Sequence, residues 1–150
     1  MTPEELHNIF RTEQQFWWYA GMREITRAVL EPVMPRGLHV GLDAGCGTGF
    51  NAQTIEQAYG LTMYGLDLAP LGIQYARQRG FARSLAASTL ELPFADEQLD
   101  FVSSIDVLPV LPEGGDQRAI HEFARVLRPG GLLYLRSAAF NILQIGRAHV

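Results

Sequence analysis

The fold prediction rests on the stretch LDAGCGTG, residues 42–49, which lies between an apolar run and a helical pattern. Three glycines within five residues remove side chains from a turn, so that backbone N–H groups can approach a ligand closely. The turn opens a predicted helix over residues 50–59, whose first N–H groups have no partner inside the helix. We therefore expect a small nucleotide-like ligand with charged or polar groups to bind at this turn.

The composition is that of one globular domain, with 150 residues of which 47% are hydrophobic and 19% are charged. The net charge of −4 and the absence of a run of Lys or Arg argue against a nucleic-acid partner. No apolar run reaches the roughly 20 residues that span a bilayer, so we also expect no membrane partner. The single cysteine, Cys46, excludes an internal disulfide and fits a reducing, cytoplasmic location.

Strand and helix patterns alternate along the chain after an N-terminal segment that is predicted to be helical over residues 3–30. Apolar runs predict strands at residues 38–43, 61–66, 81–87, 99–105 and 132–136. Helical patterns follow the first, second and fourth of these strands. The alternation predicts an α/β fold with a Rossmann-like, doubly wound and mainly parallel sheet, covered by an N-terminal helical cap.

Single residues predict where the helices begin and end. Thr48 is a candidate N-cap for the helix over residues 50–59, and Gly60 is suited to end it in the left-handed conformation. Pro70 marks the start of the next helix, and Asp116 is a candidate N-cap for the last one. The apolar face of that last helix is predicted at Ile120, Phe123, Ala124 and Leu127.

Polar residues end four successive predicted strands: Asp43, Asp67, Ser88 and Asp106. In doubly wound sheets, ligands bind outside the carboxyl ends of the strands, at the point where the strand order reverses. We therefore expect these side chains to converge on one crevice. The aromatic run FWWY, residues 16–19, is interpreted either as core packing or as a lid in which Trp18 or Tyr19 touches the ligand.

The spacing around the turn separates the possible ligands. Asp67 lies 22 residues after Gly45, where a carboxylate can accept hydrogen bonds from both hydroxyls of a ribose, including that of NAD. The dinucleotide fingerprint needs a small residue where this chain has Phe50, and no Gly-Lys-Ser/Thr follows the glycines as a P-loop requires. Asp43 would repel a pyrophosphate, but it could accept hydrogen bonds from an ammonium group or orient the amides of the turn. An adenosine ligand that carries an amino acid fits better than a dinucleotide.

Five motifs in the same order resemble those of class I S-adenosylmethionine-dependent methyltransferases, in a branch that acts on small molecules. They are DAGCGTG (43–49), Asp67 after the second strand, LPF (92–94), LDFV with IDVL (99–102 and 105–108), and LRPGG (127–131). The resemblance covers residues 14–140 and implies methyl transfer from S-adenosylmethionine to a small-molecule acceptor by in-line displacement. Neither an Asn/Asp-Pro-Pro-Tyr/Phe tetrapeptide nor a Pro-Cys motif is present, which disfavours nucleobase acceptors.

The same resemblance implies a role for each site residue. The methionine moiety would be held by Asp43 and by the backbone of Gly45, Cys46, Gly47 and Gly49. Asp67 would bind the ribose hydroxyls, and Leu68 would flank the adenine. Ser88 and Thr89 would meet the adenine amino group, while Ile105 and Asp106 would lie near the sulfonium and the substrate entrance. No metal site is predicted, and no catalytic residue is assigned, although Asp106 and His121 are candidate bases.

The chain is expected to be incomplete, because class I sheets have seven strands and five are predicted here. We predict an N-terminal helical cap over residues 1–37 and a truncated cofactor-binding domain over 38–144. Residues 145–150, IGRAHV, resemble a translated sequencing adapter. Two other functions stay open: an inactive or non-catalytic cofactor-binding fragment, and an NAD-dependent oxidoreductase. The acceptor and the oligomeric state are not predicted.

Overall fold

A sheet of five parallel strands forms the centre of the computed structural model, which describes residues 2–137. The strands are β1 (Val40–Ala44), β2 (Thr62–Asp67), β3 (Ser84–Ala86), β4 (Leu99–Ile105) and β5 (Leu127–Arg136). Their order in the sheet is β3-β2-β1-β4-β5, and each neighbouring pair runs parallel. The chain reverses its direction of winding at β1, so the predicted α/β, doubly wound fold is confirmed.

Helices cover both faces of this sheet. They are α1 (Pro3–Thr12), α2 (Trp17–Leu30), α3 (Phe50–Tyr59), α4 (Pro70–Gln78) and α5 (Gly115–Val126), together with a 3₁₀ helix at Leu108–Val110. Successive side chains of β4 enter opposite cores, because Phe101 packs with α2, α3 and α4 whereas Val102 packs with α5. Both side chains are fully buried, which explains why the sequence of β4 reads as a continuous apolar run.

The N-terminal segment predicted to be helical over residues 3–30 is helical except at residues 13–16, where it is divided into two helices. Residues 13–15 form a turn, and Phe16 has extended backbone angles at the start of α2. The break occurs where Glu13, only 6% exposed, turns into the protein and pairs with Arg79. A tertiary ion pair thus overrides the helical periodicity that the segment carries.

Several predicted boundaries are confirmed. The strand over residues 99–105 and the helix over 50–59 have the expected bounds, and Gly60 ends α3 with a φ of +72°. Pro70 begins α4. The third strand is shorter than predicted, with three residues instead of seven, because Phe81 leaves the strand and fills the core beneath it.

Two predicted N-caps are wrong, and one predicted apolar face is confirmed on α5 only at Phe123. Gly49 is the N-cap of α3, while the hydroxyl of Thr48 donates to Glu13 instead. The N-cap of α5 is Gly114, two residues before Asp116. The buried face of α5 comprises Gly115, Ala119, Phe123 and Val126, whereas Ile120 and Ala124 are exposed and Leu127 belongs to β5.

Within residues 2–137, no helix is both long enough and apolar enough to cross a membrane. The domain boundaries after residues 37 and 144 remain predictions. The adapter-like segment at residues 145–150 lies outside the described part of the chain.

Candidate functional site

A cavity of about 480 Å³ opens at the carboxyl ends of the strands. Segments that follow or end all five strands contribute to its walls, and the N-terminal helices cover one side. Nine of the eleven predicted site residues line it: Gly45, Cys46, Gly47, Asp67, Leu68, Ser88, Thr89, Ile105 and Asp106. The structure therefore brings together residues that lie up to 61 positions apart in the sequence.

Asp43 lies behind this cavity and does not line it, so the expected convergence of four strand ends is reduced to three. Its carboxylate Oδ1 accepts a hydrogen bond of 2.7 Å from the Ser103 hydroxyl, and the residue is only 2% exposed. Burial raises the pKa of Asp43 to about 6; the charge of Asp67 adds to the rise, whereas Ser103 and Arg136 oppose it. Its bond goes to β4 rather than to the amides of the turn.

Gly49, the other predicted residue outside the cavity wall, serves packing. A Cβ on Gly49 would lie 2.8 Å from the Phe81 ring and 2.9 Å from the Ala76 Cβ. Such contacts are too short for any side chain, so glycine is required here for the close approach of α3 to α4.

The glycine turn, residues 45–49, uses its own amides inside the protein, which corrects the expectation that they face a ligand. The N–H groups of Gly45 and Cys46 both donate to the Leu66 carbonyl oxygen at 2.8 Å. The N–H of Gly47 donates to the Asp67 carboxylate, also at 2.8 Å. A phosphate group, which needs free backbone donors, would find none at these three positions.

Two glycines of the turn are needed for different reasons. Gly45 has a φ of +90°, and a Cβ there would lie 2.2 Å from a methyl carbon of Val107, so the turn packs directly against the segment after β4. Gly47 has a φ of +51° and open space where a Cβ would stand. A Cβ on Gly72 of α4 would in turn lie 3.0 Å from the Gly47 carbonyl oxygen, so α4 supports the turn from outside.

Asp67 is held in one orientation at the end of β2. Its Oδ2 accepts the Gly47 N–H and its Oδ1 accepts the Ala69 N–H, both at 2.8 Å. A carboxylate can accept about four hydrogen bonds, so each oxygen retains capacity for a further donor. Two adjacent hydroxyl groups, as on a ribose, match this remaining capacity.

The N-terminal helices supply wall residues that sequence reasoning did not place in the site. Glu13, Met22 and Arg23 all line the cavity. Tyr19, one of the two aromatic residues that were expected to touch the ligand, also lines it. Trp18 is instead 53% exposed and is absent from the wall. No local pattern marks Glu13, because its position depends on partners far along the chain.

An ion pair joins the ends of β4 and β5 at the cavity wall. Arg136 donates from Nη2 to the Asp106 Oδ2 at 2.7 Å, and the Asp106 N–H donates to the Arg136 carbonyl oxygen at the same distance. Asp106 has a φ of +59°, which is uncommon for a residue other than glycine. Such strain is maintained only where the surroundings determine the backbone strongly.

The titratable groups near the cavity differ in the chemistry that they could supply. Among residues 2–137, no group of three His, Cys, Asp or Glu side chains could hold a metal ion. Burial raises the pKa of the Cys46 thiol, so the reactive thiolate is disfavoured. Of the two candidate bases, Asp106 lines the wall and His121 does not.

Residues 42–135 match the family described as "Methyltransferase domain", and this match extends over more than half of the chain. The chain belongs to the class I S-adenosylmethionine-dependent methyltransferases. This methyltransferase domain is 35% identical over 109 residues to malonyl-[acyl-carrier protein] O-methyltransferase of Yersinia pestis, covering 71% of the chain and 40% of that protein. It is 37% identical over 94 residues to a human protein named "Probable tRNA methyltransferase 9B", covering 62% of the chain and 20% of that protein.

Among solved structures, the domain resembles that of the [4+2]-cyclase SpnF, with a TM-score of 0.68 and 28% identity over 81% of the chain and 48% of the cyclase. The chain spans less than half of the length of these three proteins. Their names cover three different activities, so the family assignment by itself does not identify an acceptor.

Proposed function

We propose that this chain binds S-adenosylmethionine in the cavity and transfers its methyl group to a small-molecule acceptor. The observation that carries the proposal is the hydrogen bond from the Gly47 N–H to the Asp67 carboxylate. This bond orients the Asp67 carboxylate so that it can accept hydrogen bonds from ribose hydroxyls. The bond also occupies the Gly47 N–H, which a pyrophosphate would need as a donor. An adenosine ligand without phosphates therefore suits the cavity better than NAD does.

The cavity residues fit such a cofactor. Bound there, S-adenosylmethionine would supply a methyl group already activated by its sulfonium. Asp67 would accept hydrogen bonds from the ribose hydroxyls, and Leu68 would lie against the adenine. Ser88 and Thr89 would lie along the edge of the adenine. The open space beside Gly47 would admit the methionine moiety, since no side chain fills it.

Arg23 is a further candidate for the methionine end. Arg23 lines the cavity, and its guanidinium donates from Nη1 to the Glu13 carbonyl oxygen at 2.7 Å. That bond leaves other donors of the guanidinium available, and an arginine can bind a carboxylate through two parallel hydrogen bonds. We therefore assign Arg23 to the cofactor carboxylate.

The chain's contribution to methyl transfer is alignment and exclusion of water. Ile105 and Asp106 would border the reacting centre, while α1 and α2 shield the cavity from solvent. Asp106 would serve as base only for an acceptor that must lose a proton. The anionic chain, with its net charge of −4, and the absence of a basic run favour a small acceptor over RNA.

Calorimetric titration of this chain with S-adenosylhomocysteine and with NADH tests the proposal. We expect the first to bind and the second not to bind. Asp67→Ala should weaken the first interaction by about tenfold or more, since hydrogen bonds to a charged group are lost. Asp116→Ala, a change of the same chemistry on the exposed start of α5, should leave it unchanged.

NADH binding without S-adenosylhomocysteine binding would overturn the proposal in favour of an oxidoreductase. The acceptor class is tested by incubating the chain with methyl-labelled S-adenosylmethionine and either a small-molecule extract or total tRNA. We expect label in the small-molecule fraction. Label confined to the tRNA would contradict the proposed acceptor class.

A further inference from the structure

We propose that Glu13 is a positioning residue that joins the N-terminal helices to the glycine turn, so that the position of these helices and the geometry of the turn are set together. The inference rests on the proposed cofactor site and assigns to that site a residue that does not contact the cofactor's reacting atoms. Glu13 lies in the break between α1 and α2 and is 6% exposed.

Glu13 has partners on three other parts of the fold. Its Oε1 accepts a hydrogen bond of 2.6 Å from the Thr48 hydroxyl, which belongs to the glycine turn. The same oxygen pairs with Arg79, which directly follows α4. Its carbonyl oxygen accepts the bond from Arg23 of α2. One residue of the cap is thus tied to the turn, to α4 and to the second cap helix.

Arg79 depends on Glu13 for its charge balance. Its side chain is only 6% exposed, and its guanidinium lies between the rings of Phe10 and Phe50, at 4.8 Å and 4.7 Å from their centroids. Two of its nitrogens, Nε and Nη1, have no hydrogen-bond partner among the described residues. Stacking holds the group in place, but Glu13 supplies the neutralising charge, which a buried cation requires.

Phe50 gives the cap a second hold on the turn. Its ring, at the start of α3, is contacted by Arg79 and also by Arg23, whose guanidinium carbon lies 4.8 Å from the centroid. This explains why the chain carries a bulky residue where a dinucleotide fingerprint needs a small one. The cap therefore contacts both sides of Gly49, through Thr48 and through Phe50.

The consequence concerns cofactor affinity. Thr48 lines the cavity next to Gly47, so fixing its side chain from the cap orders the wall before a ligand arrives. A wall that is already ordered loses less conformational entropy when the ligand binds. Cutting the bond between Glu13 and Thr48 should weaken cofactor binding even though no bond to the cofactor is removed.

The test combines Thr48→Val with a paired change, Glu13→Leu together with Arg79→Leu, in a double-mutant cycle on this chain. The paired change removes both charges at once, so neither is left buried alone. The readout is the Kd for S-adenosylhomocysteine. We expect each change alone to raise the Kd by about tenfold and the combination to raise it no further. Thr48→Ser, which keeps the hydroxyl, should restore wild-type affinity.

Val126→Ala is the matched stability control, because Val126 is fully buried in the core beneath α5 and absent from the cavity wall. It should lower the melting temperature without changing the Kd. Additive effects in the cycle would show that Thr48 acts on the cofactor directly, and would overturn the inference. So would a Val126→Ala variant whose Kd rises as much as that of Thr48→Val. A wild-type chain that fails to bind would contradict the proposed function itself, a result distinct from either of these.

Discussion

The Asp43 carboxylate and the Ser103 hydroxyl are paired across β1 and β4 by a hydrogen bond of 2.7 Å, at a register position where both residues are buried. The carboxyl group is isolated from water, and this burial raises its pKa from the ordinary 3.8 to about 6. Compared with the unfolded chain, the folded state therefore favours the protonated acid. Ionising this group at neutral pH lowers the free energy of unfolding.

Asp43→Asn should remove that cost. A raised pKa contributes stability that is fully present below pH 3.8 and is lost as pH rises through about 6. The free energy of unfolding of the wild type, relative to the variant, should thus fall by about 2 kcal/mol between pH 4 and pH 7. Urea unfolding at four pH values measures this difference. A difference that does not vary with pH would show that Asp43 does not titrate in this range.

Glu122→Gln should have the opposite dependence on pH. The Glu122 carboxylate accepts hydrogen bonds from Arg125 and, at 2.7 Å, from the Leu92 N–H, and these contacts lower its pKa to about 2. A lowered pKa contributes stability that is present above 4.5 and lost as pH falls through about 2. We expect the variant to be less stable by about 2 kcal/mol at pH 7 and nearly equal to wild type at pH 2.

Glu24→Gln provides the matched control for that prediction. Glu24 and Arg27 have the same spacing on α2 as Glu122 and Arg125 have on α5, but both of their side chains are more than half exposed. Exposed pairs contribute little to stability. Equal losses for the two Gln variants would contradict the role assigned to the hydrogen bond from the Leu92 N–H.

Gly47→Ala and Gly60→Ala should separate backbone strain from ligand binding. Both glycines have positive φ, +51° and +72°, and a Cβ would meet nothing within 4 Å at either position. Each change should cost about 1–2 kcal/mol of stability, measured by urea unfolding. Only Gly47→Ala should weaken S-adenosylhomocysteine binding, because its methyl group would enter the cavity. Equal Kd values for the two variants would place the cofactor elsewhere.

The parts of the fold that depend on local sequence were predictable. The apolar run of β4 and the glycine that ends α3 act through neighbours in the chain, and both were placed correctly. The polar residues at the strand ends also allowed Asp67 to be placed in the cavity, because parallel strands bring their carboxyl ends to one edge of the sheet.

Long-range partners account for what sequence reasoning could not place. Thr48 has the residue type of an N-cap, yet its hydroxyl bonds a carboxylate 35 positions earlier in the chain. Asp43 ends a strand as expected, but its side chain turns towards β4 because Ser103 stands opposite it. Ile120 and Phe123 both fit a helical apolar stripe, but the core beneath α5 buries Phe123 together with Ala119 and leaves Ile120 exposed.

The close approach of Gly72 to the carbonyl oxygen of Gly47 has a consequence for how this domain can diverge. A larger residue on α4 would press on the floor of the cavity without being part of it. Variation in cofactor affinity among relatives can therefore arise from a residue on a helix surface that makes no contact with the ligand. In protein engineering, substitution of Gly72 would change the position of the glycine turn while every side chain that lines the cavity stays the same.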